Sequence, residues 1–351
     1  MKQDIRVLIC YNRPHSLYSN YIGKDNVNTE EVVDLSEKNF FHELDHIKSS
    51  LKRYYAEVDT FGLGPDLVEN IRGIKSFNPG LIFNLVESIE GNTEFEAYTA
   101  GLFDLLNITY TGNDLGALGN CLNKSLAKMI LKAYEVRVPA SFVYEKSKGI
   151  KQIEKIKFTY PLMLKLLKED ASIGISEKSV VNNRASLKKQ IEFLVSTYKQ
   201  DILIEQFIRG REFNIAVLGG KPLPVSEIDF SGLPGNLPAI VTYEGKWVEG
   251  STYYRHTVPV CPAKISDELR IKMEIEAVKA YKALKCRDYA RVDIRLDDSG
   301  TPYVIEVNPN PDITRDSGFA RAAAAKGMTH RKFLYKITQL ALERVKVDSP
   351  F

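Results

Sequence analysis

Residues 289–308 read YARVDIRLDDSGTPYVIEVN, two apolar runs joined by an Asp-Ser-Gly turn. Such a pattern folds as an antiparallel hairpin whose side chains alternate between two faces. On the first strand Ala290, Val292, Ile294 and Leu296 share an apolar face, and Tyr289, Arg291, Asp293 and Arg295 share the other. On the second, Val304, Glu306 and Asn308 fall together, opposite Tyr303, Ile305 and Val307. A two-residue loop at Ser299–Gly300 sets Asp293 across from Glu306 and Arg291 across from Asn308. Opposed Cβ atoms in such a ladder lie about 4.5–5.5 Å apart. Two carboxylates held that close repel unless one is protonated or a cation sits between them. Asn308 adds a neutral oxygen, and three oxygen donors suit Mg²⁺, which keeps its remaining positions for water or phosphate. Arg291 beside them suits a phosphate oxygen. Composition alone leaves a solvated surface pair equally open. The apolar residues flanking Glu306 argue instead for a strand covered on both faces. Pro309 and Pro311 end the ladder by removing donors.

The rest of the chain supplies a scaffold for this hairpin. IRVLICY (5–11), AEVDTFG and GLIFNLVE (80–87) read as strands alternating with helical segments, a parallel α/β layer domain over about 1–117. In the helix NTEFEAYTAGLFDLLN, Thr93 and Glu96 match a capping box, and Phe95, Tyr98, Leu102 and Leu105 form the expected inward stripe. An amphipathic helix (123–136), the strands PASFVYE and YPLMLKLL, the loop KEDASIG and a charged helix suggest an α+β subdomain over about 118–200. A third unit, 201–351, begins with an expected hairpin around Arg209–Gly210 and ends in a helix near 330–346. Within it, residues 229–263 are rich in Gly, Pro and Tyr, and a connection that long is usually a lid or binding loop.

Composition sets the limits. With 44% hydrophobic and 26% charged residues in 351, the chain has ample core for two or three domains. Its formal net charge of +3 gives no reason to expect nucleic acid. Four cysteines without CxxC spacing point to reduced thiols in a cytoplasmic protein. The histidines lack zinc spacing, and no apolar run approaches a membrane span.

With these residues in place, the chain resembles the D-alanine–D-alanine ligase family of ATP-grasp carboxylate–amine ligases. ARVDIRLDDSGTPYVIEVNPNP is similar to that family's metal hairpin. YTGNDLGALGNCLNKSLAKMILKAYEVRVPASF, LIEQFIRGREFNIAVLG and VTYEGKW resemble its inter-domain segment, its nucleotide hinge and the approach to its lid, in the right order over most of 80–345. The resemblance implies an ATP-grasp fold behind an N-terminal parallel α/β domain, and amide formation from a carboxylate and an amine through an acyl phosphate. It implies that Lys124, Lys165 and Lys246 contact ATP phosphates, with Ser172 in the loop that closes over them. Glu205, Phe207, Ile208 and Ile305 would line the adenine pocket, and Glu212 would bind ribose. Arg291 would stabilise the transferring phosphoryl group, and Asp293, Glu306 and Asn308 would hold two Mg²⁺, with Mn²⁺ as a substitute. Relatives of this kind are often homodimers.

The amino-acid half departs from the family. Its first loop carries a Ser–x–Glu element; here the strand runs into YNRPHSLY, with Arg13 and His15 as weaker candidates. The loop serine is Ala171, the lid tyrosine is Trp247, and a glycine near the acyl carbon is Asp312. Ser317 keeps the position that binds the second substrate's carboxylate. These departures suggest a changed substrate, with Arg315 meeting a carboxylate and Asp312 an ammonium. The competing readings are a true D-alanine–D-alanine ligase, a non-catalytic ATP-binding regulator, and a bicarbonate-using enzyme of the biotin-carboxylase kind.

Overall fold

The computed structural model describes residues 2–13 and 40–348; His15 lies outside them. The first region has β1 (Gln3–Asn12), α1 (Phe40–Leu51), β2 (Tyr55–Leu63), α2 (Leu67–Phe77), β3 (Leu81–Leu85) and α3 (Glu94–Leu105). Its strands pair in parallel in the order β2-β1-β3, the expected α/β layer. Helices α4 (Leu115–Leu122) and α5 (Lys124–Ala133) lead out of it. Asp114 caps α4 through Ala117 N–H, and Asn123 caps α5 through the N–H groups of Ser125 and Leu126.

Two antiparallel sheets follow. Strands β4 (Ser141–Tyr144), β5 (Leu162–Leu166), β6 (Val180–Val181) and β7 (Ile202–Gln206) form one in the order β4-β7-β5-β6. Helix α6 (Arg184–Tyr198) covers it, burying Leu187, Ile191 and Leu194 against Leu164 and Ile204. The other contains β8 (Glu212–Leu218), β9 (Lys221–Pro222), β10 (Ser226–Asp229), β11 (Val258–Val260), β12 (Tyr289–Leu296) and β13 (Pro302–Asn308). Its main path is β11-β10-β8-β12-β13, with β9 paired to β8. The segment between β10 and β11 holds two short helices, α7 (Tyr243–Trp247) and α8 (Thr252–His256). Helices α9 (Asp267–Ala283), α10 (Gly318–Ala325) and α11 (His330–Asp348) complete the chain.

The large sheet is covered on both faces, and that positions the site. Phe213, Ile215, Val217, Ala290, Val292 and Ile294 pack on α5 and α9. On the opposite face, Ala216, Leu218 and Tyr289 share a core with Val7, Ile9 and Phe83 of the first sheet and with Phe319 and Phe333. That second face changes character along the strands. Its far end carries Glu212, Asn214, Asp293 and Arg295, which line a cavity instead of a core.

Five local expectations are corrected. The turn at the metal hairpin has three residues, closed by Asp297 N–H on Thr301 O, with Gly300 at φ +77°. A β-bulge at Ile305 then restores the register, so Asp293 still faces Glu306 and Arg291 still faces Asn308. The bulge also places Val304 in the core beside Ile294 instead of on the Glu306 face. Arg209–Gly210 is no hairpin: β7 and β8 belong to different sheets, and residues 207–211 cross between them. Thr93 makes no capping bond; its hydroxyl donates to Lys168 O, and Glu96 is buried against Asn310. Helix α3 buries Ala97, Thr99, Ala100 and Phe103, and turns the expected inward stripe out, with Tyr98 57% and Leu105 87% exposed. This face packs into a core with Leu8, Cys10 and Ile82 of the first sheet and Leu118 of α4, and that tertiary packing outweighs the apolar periodicity.

Candidate active site

A cavity of about 1250 Å³ lies where the three sheets meet. Strand β5 and its following loop bring Lys165 and residues 169–173 to it, and α5 brings Lys124. Lys124 Nζ sits 2.8 Å from both Asp170 Oδ1 and Glu306 Oε1. Burial opposes the Glu306 charge, but Lys124 and Lys165 outweigh it and hold the carboxyl well below its usual range. Deeper in, Glu205 is 3% exposed and lies 2.8 Å from Lys165 and from Lys128. Burial would raise its pKa, yet the two lysines lower it. Lys246 lines the same space, its pKa lowered by burial and then by Arg291.

Asp293 accepts two bonds from Arg291, both 2.8 Å. It also accepts from Asn214 at 2.7 Å and Asn308 at 3.1 Å. Strand pairing causes this convergence, because Asp293 stands between Asn214 on β8 and Glu306 on β13. Among the described residues no group of three or more His, Cys, Asp or Glu could hold a metal. The donor set here is two carboxylates and an amide oxygen, which Asn308 presents by rotating about χ2. That set fits a hard cation such as Mg²⁺, which binds through one or two carboxylates plus water and phosphate.

Met163, Phe207, Ile208, Ile240 and Ile305 give the cavity one apolar end beside Glu205. Ile305 reaches it because the bulge breaks strict alternation. The loop after β5 bends through Ala171 and Ser172, both with positive φ. It is tied to the 229–263 segment: Ser172 Oγ donates to Val241 O and Trp247 Nε1 to Ala171 O, each at 3.2 Å. Trp247, which cannot accept a bond, thus donates one.

At the other end, Asp312 accepts from Thr314 N–H at 2.8 Å. Arg315 meets Glu43 of α1, not Asp312, with its Nη2 2.6 Å from Glu43 Oε1. Ser317, 5% exposed, caps α10 by accepting from Ala320 N–H. His46 lies 3.2 Å from His330, whose other nitrogen meets Ile313 O at 2.8 Å. The expected nucleotide, metal and substrate residues from Lys124 to Ser317 line the one cavity, whereas Arg13 does not: it pairs with Glu69 of α2. Asn214, Lys128 and Glu43 escaped the sequence reading, and Arg295, placed on the Asp293 face, was given no role. Asn214 had a signal in strand alternation, but it is readable only once β8 is known to neighbour β12.

Lys165 from one sheet and Lys124 from α5, facing a carboxylate hairpin on another sheet, are the arrangement of an ATP-grasp ligase, which uses ATP to form carbon–nitrogen bonds. A family model described as "D-ala D-ala ligase C-terminus" matches residues 128–339, and the chain belongs to that family. It is 32% identical over 231 residues to a D-alanine–D-alanine ligase of Ruthia magnifica, covering 66% of this chain and 72% of that one. It is 29% identical over 265 residues to the uncharacterized protein y4sG of Sinorhizobium fredii, covering 76% and 75%. The fold is that of the Bacillus anthracis D-alanine–D-alanine ligase complexed with ATP, with TM-score 0.72, 23% identity, and coverage of 99% and 100%.

Proposed function

We propose that the protein joins the carboxylate of one amino acid or short peptide to the amine of another, and that the pair is not two D-alanines. One observation carries the reading: an intact carboxylate–lysine constellation stands beside a rebuilt substrate end. There Trp247 and Ser172 fasten the lid segment, and Glu43 engages Arg315. The substrate carboxylate attacks the γ-phosphorus of ATP, ADP leaves, and an acyl phosphate forms. The amine then attacks the acyl carbon, and phosphate departs with formation of the amide. Lys124, Lys165, Lys246 and Arg291 orient the phosphates and offset their charge, so positioning and electrostatics supply most of the acceleration. Asp293, Glu306 and Asn308 would hold Mg²⁺, which would neutralise charge on the phosphates. The 229–263 segment keeps water from the acyl phosphate. Asp312 is the proposed partner of a substrate ammonium, Ser317 of a carboxylate, and Arg315 shapes that end through Glu43.

The functional units in this reading are 1–117, 118–206 and 207–351, the second boundary following the crossing between sheets. The outward stripe of α3, continuous with Leu115, fits the same stripe on a second copy, since large apolar patches are seldom left bare. No described helix is long and apolar enough to cross a membrane.

The test is phosphate release with ATP, Mg²⁺ and pools of D- and L-amino acids and dipeptides. Release with a pair other than two D-alanines supports the reading, and release with D-alanine alone replaces it with the narrow activity. Silence from a chain that binds ATP points to a regulator. Unchanged Michaelis constants in Asp312→Ala would remove Asp312 from the pocket.

A further inference from the structure

Arg295 is an arginine on the cavity side of β12, only 3% exposed. Its guanidinium makes five hydrogen bonds, matching its five N–H donors. Three go to the crossing segment: Nε to Ile208 O at 2.6 Å, and Nη2 to Gly210 O at 2.9 Å and Arg209 O at 3.4 Å. Nη1 meets Glu212 Oε2 at 2.5 Å and Ala239 O at 2.9 Å. The Phe207 ring stacks on it at 4.8 Å. The crossing segment must hug β12 for this to happen. A Cβ on Gly210 would lie 2.2 Å from Leu296 O, so only glycine fits there.

We propose that Arg295 is the positioning residue of the nucleotide site. It makes the enzyme selective for an intact ribose, and it ties the root of the lid to the crossing segment. The inference rests on the ATP-dependent reading above and adds a residue to it. Glu212 is 7% exposed and lines the cavity; burial raises its pKa and Arg295 opposes that rise. With Oε2 claimed by Arg295, Oε1 is the atom left for a ribose hydroxyl, in one fixed orientation. Ala239 opens the stretch that runs through Val241 and Lys246 to Trp247, so the same guanidinium sets where that stretch begins.

The experiment measures equilibrium binding of ATP, 2′-deoxy-ATP and 3′-deoxy-ATP to the full chain by calorimetry, for the native protein, Arg295→Met and Arg295→Lys. A hydrogen bond to a charged group is worth about tenfold or more in affinity. The native protein should therefore prefer ATP over at least one deoxy analogue by about that factor. Arg295→Met should narrow the preference to within about twofold. Arg295→Lys keeps a cation for Glu212 and most of the preference. Its three donors cannot serve the remaining carbonyls, so amides of residues 239–247 should exchange hydrogen faster than in the native chain. Either of two results overturns the inference: a folded Arg295→Met with native ribose preference, or Arg295→Lys with native exchange at the lid root. Should Arg295→Met fail to fold, the lysine variant alone decides. A native chain that binds ATP without ribose preference overturns the inference only, whereas one that binds no nucleotide overturns the ATP-dependent reading as well.

Discussion

Glu205→Gln removes one negative charge from between two buried lysines while preserving side-chain shape. Each lysine nitrogen lies 2.8 Å from a Glu205 oxygen, and Lys128 is only 4% exposed. At an effective dielectric of about 20, each contact carries roughly 6 kcal/mol of gross attraction. Most of that offsets the desolvation of three ions, and breaking a buried pair typically costs about 3–5 kcal/mol net. Lys128 decides how much of the cost is seen. Burial already lowers its pKa, and loss of Glu205 lowers it further. A lysine whose folded pKa lies below its unfolded value binds fewer protons folded than unfolded, so stability rises with pH across that window. The variant should therefore lose about 3–5 kcal/mol near pH 7 and less near pH 9.5. Urea denaturation followed by circular dichroism reads both values. A loss below about 1 kcal/mol near pH 7, or one that grows with pH, would mean that Glu205 does not hold the charges of Lys128 and Lys165.

Asp293→Asn removes a carboxylate of the proposed metal site and turns one acceptor oxygen into an NH2 group that faces N–H donors, so ATP-dependent phosphate release should fall about a hundredfold or more with the circular dichroism unchanged. Glu96 is buried and its pKa stands well above the usual range because of burial, opposed by Asn310. The stability tied to its protonated form is full below the unfolded pKa and lost as pH rises through the folded one. Glu96→Gln should thus match the native melting temperature near pH 4 and exceed it by about 2 °C or more near pH 8; equal melting temperatures at both would count against it. Leu105, on the exposed stripe of α3, should govern self-association. Leu105→Lys should sediment as a monomer where the native chain sediments as a dimer, and a monomeric native chain would end that proposal.

The carboxylate hairpin of the candidate site was legible because its chemistry is local. Alternation along two strands placed Asp293, Glu306 and Asn308 on one face, and the flanking apolar residues implied cover. The predicted register survived an incorrect turn, because an extra loop residue and a bulge at Ile305 cancel. The face of α3 was not legible. Its large apolar residues gave the stronger periodic signal, but Ala97, Ala100 and Phe103 are the ones that enter the core with Leu8, Ile82 and Leu118. The crossing at 207–211 looked like a hairpin because two strands and a glycine turn are locally the same whether they pair with each other or with others.

Many of the strands and helices and the paired carboxylates were set by the sequence alone, since each follows from side-chain spacing over a few residues, whereas the lysines were marked only by the family resemblance. Tertiary structure decided which distant groups meet them. Glu43 and Arg315 are far apart in the chain, as are Trp247 and Ala171, and Arg295 and Ala239. Such pairs depend on how sheets stack and where a segment crosses between them, and that is set by the summed packing of the whole chain rather than by any short stretch of it.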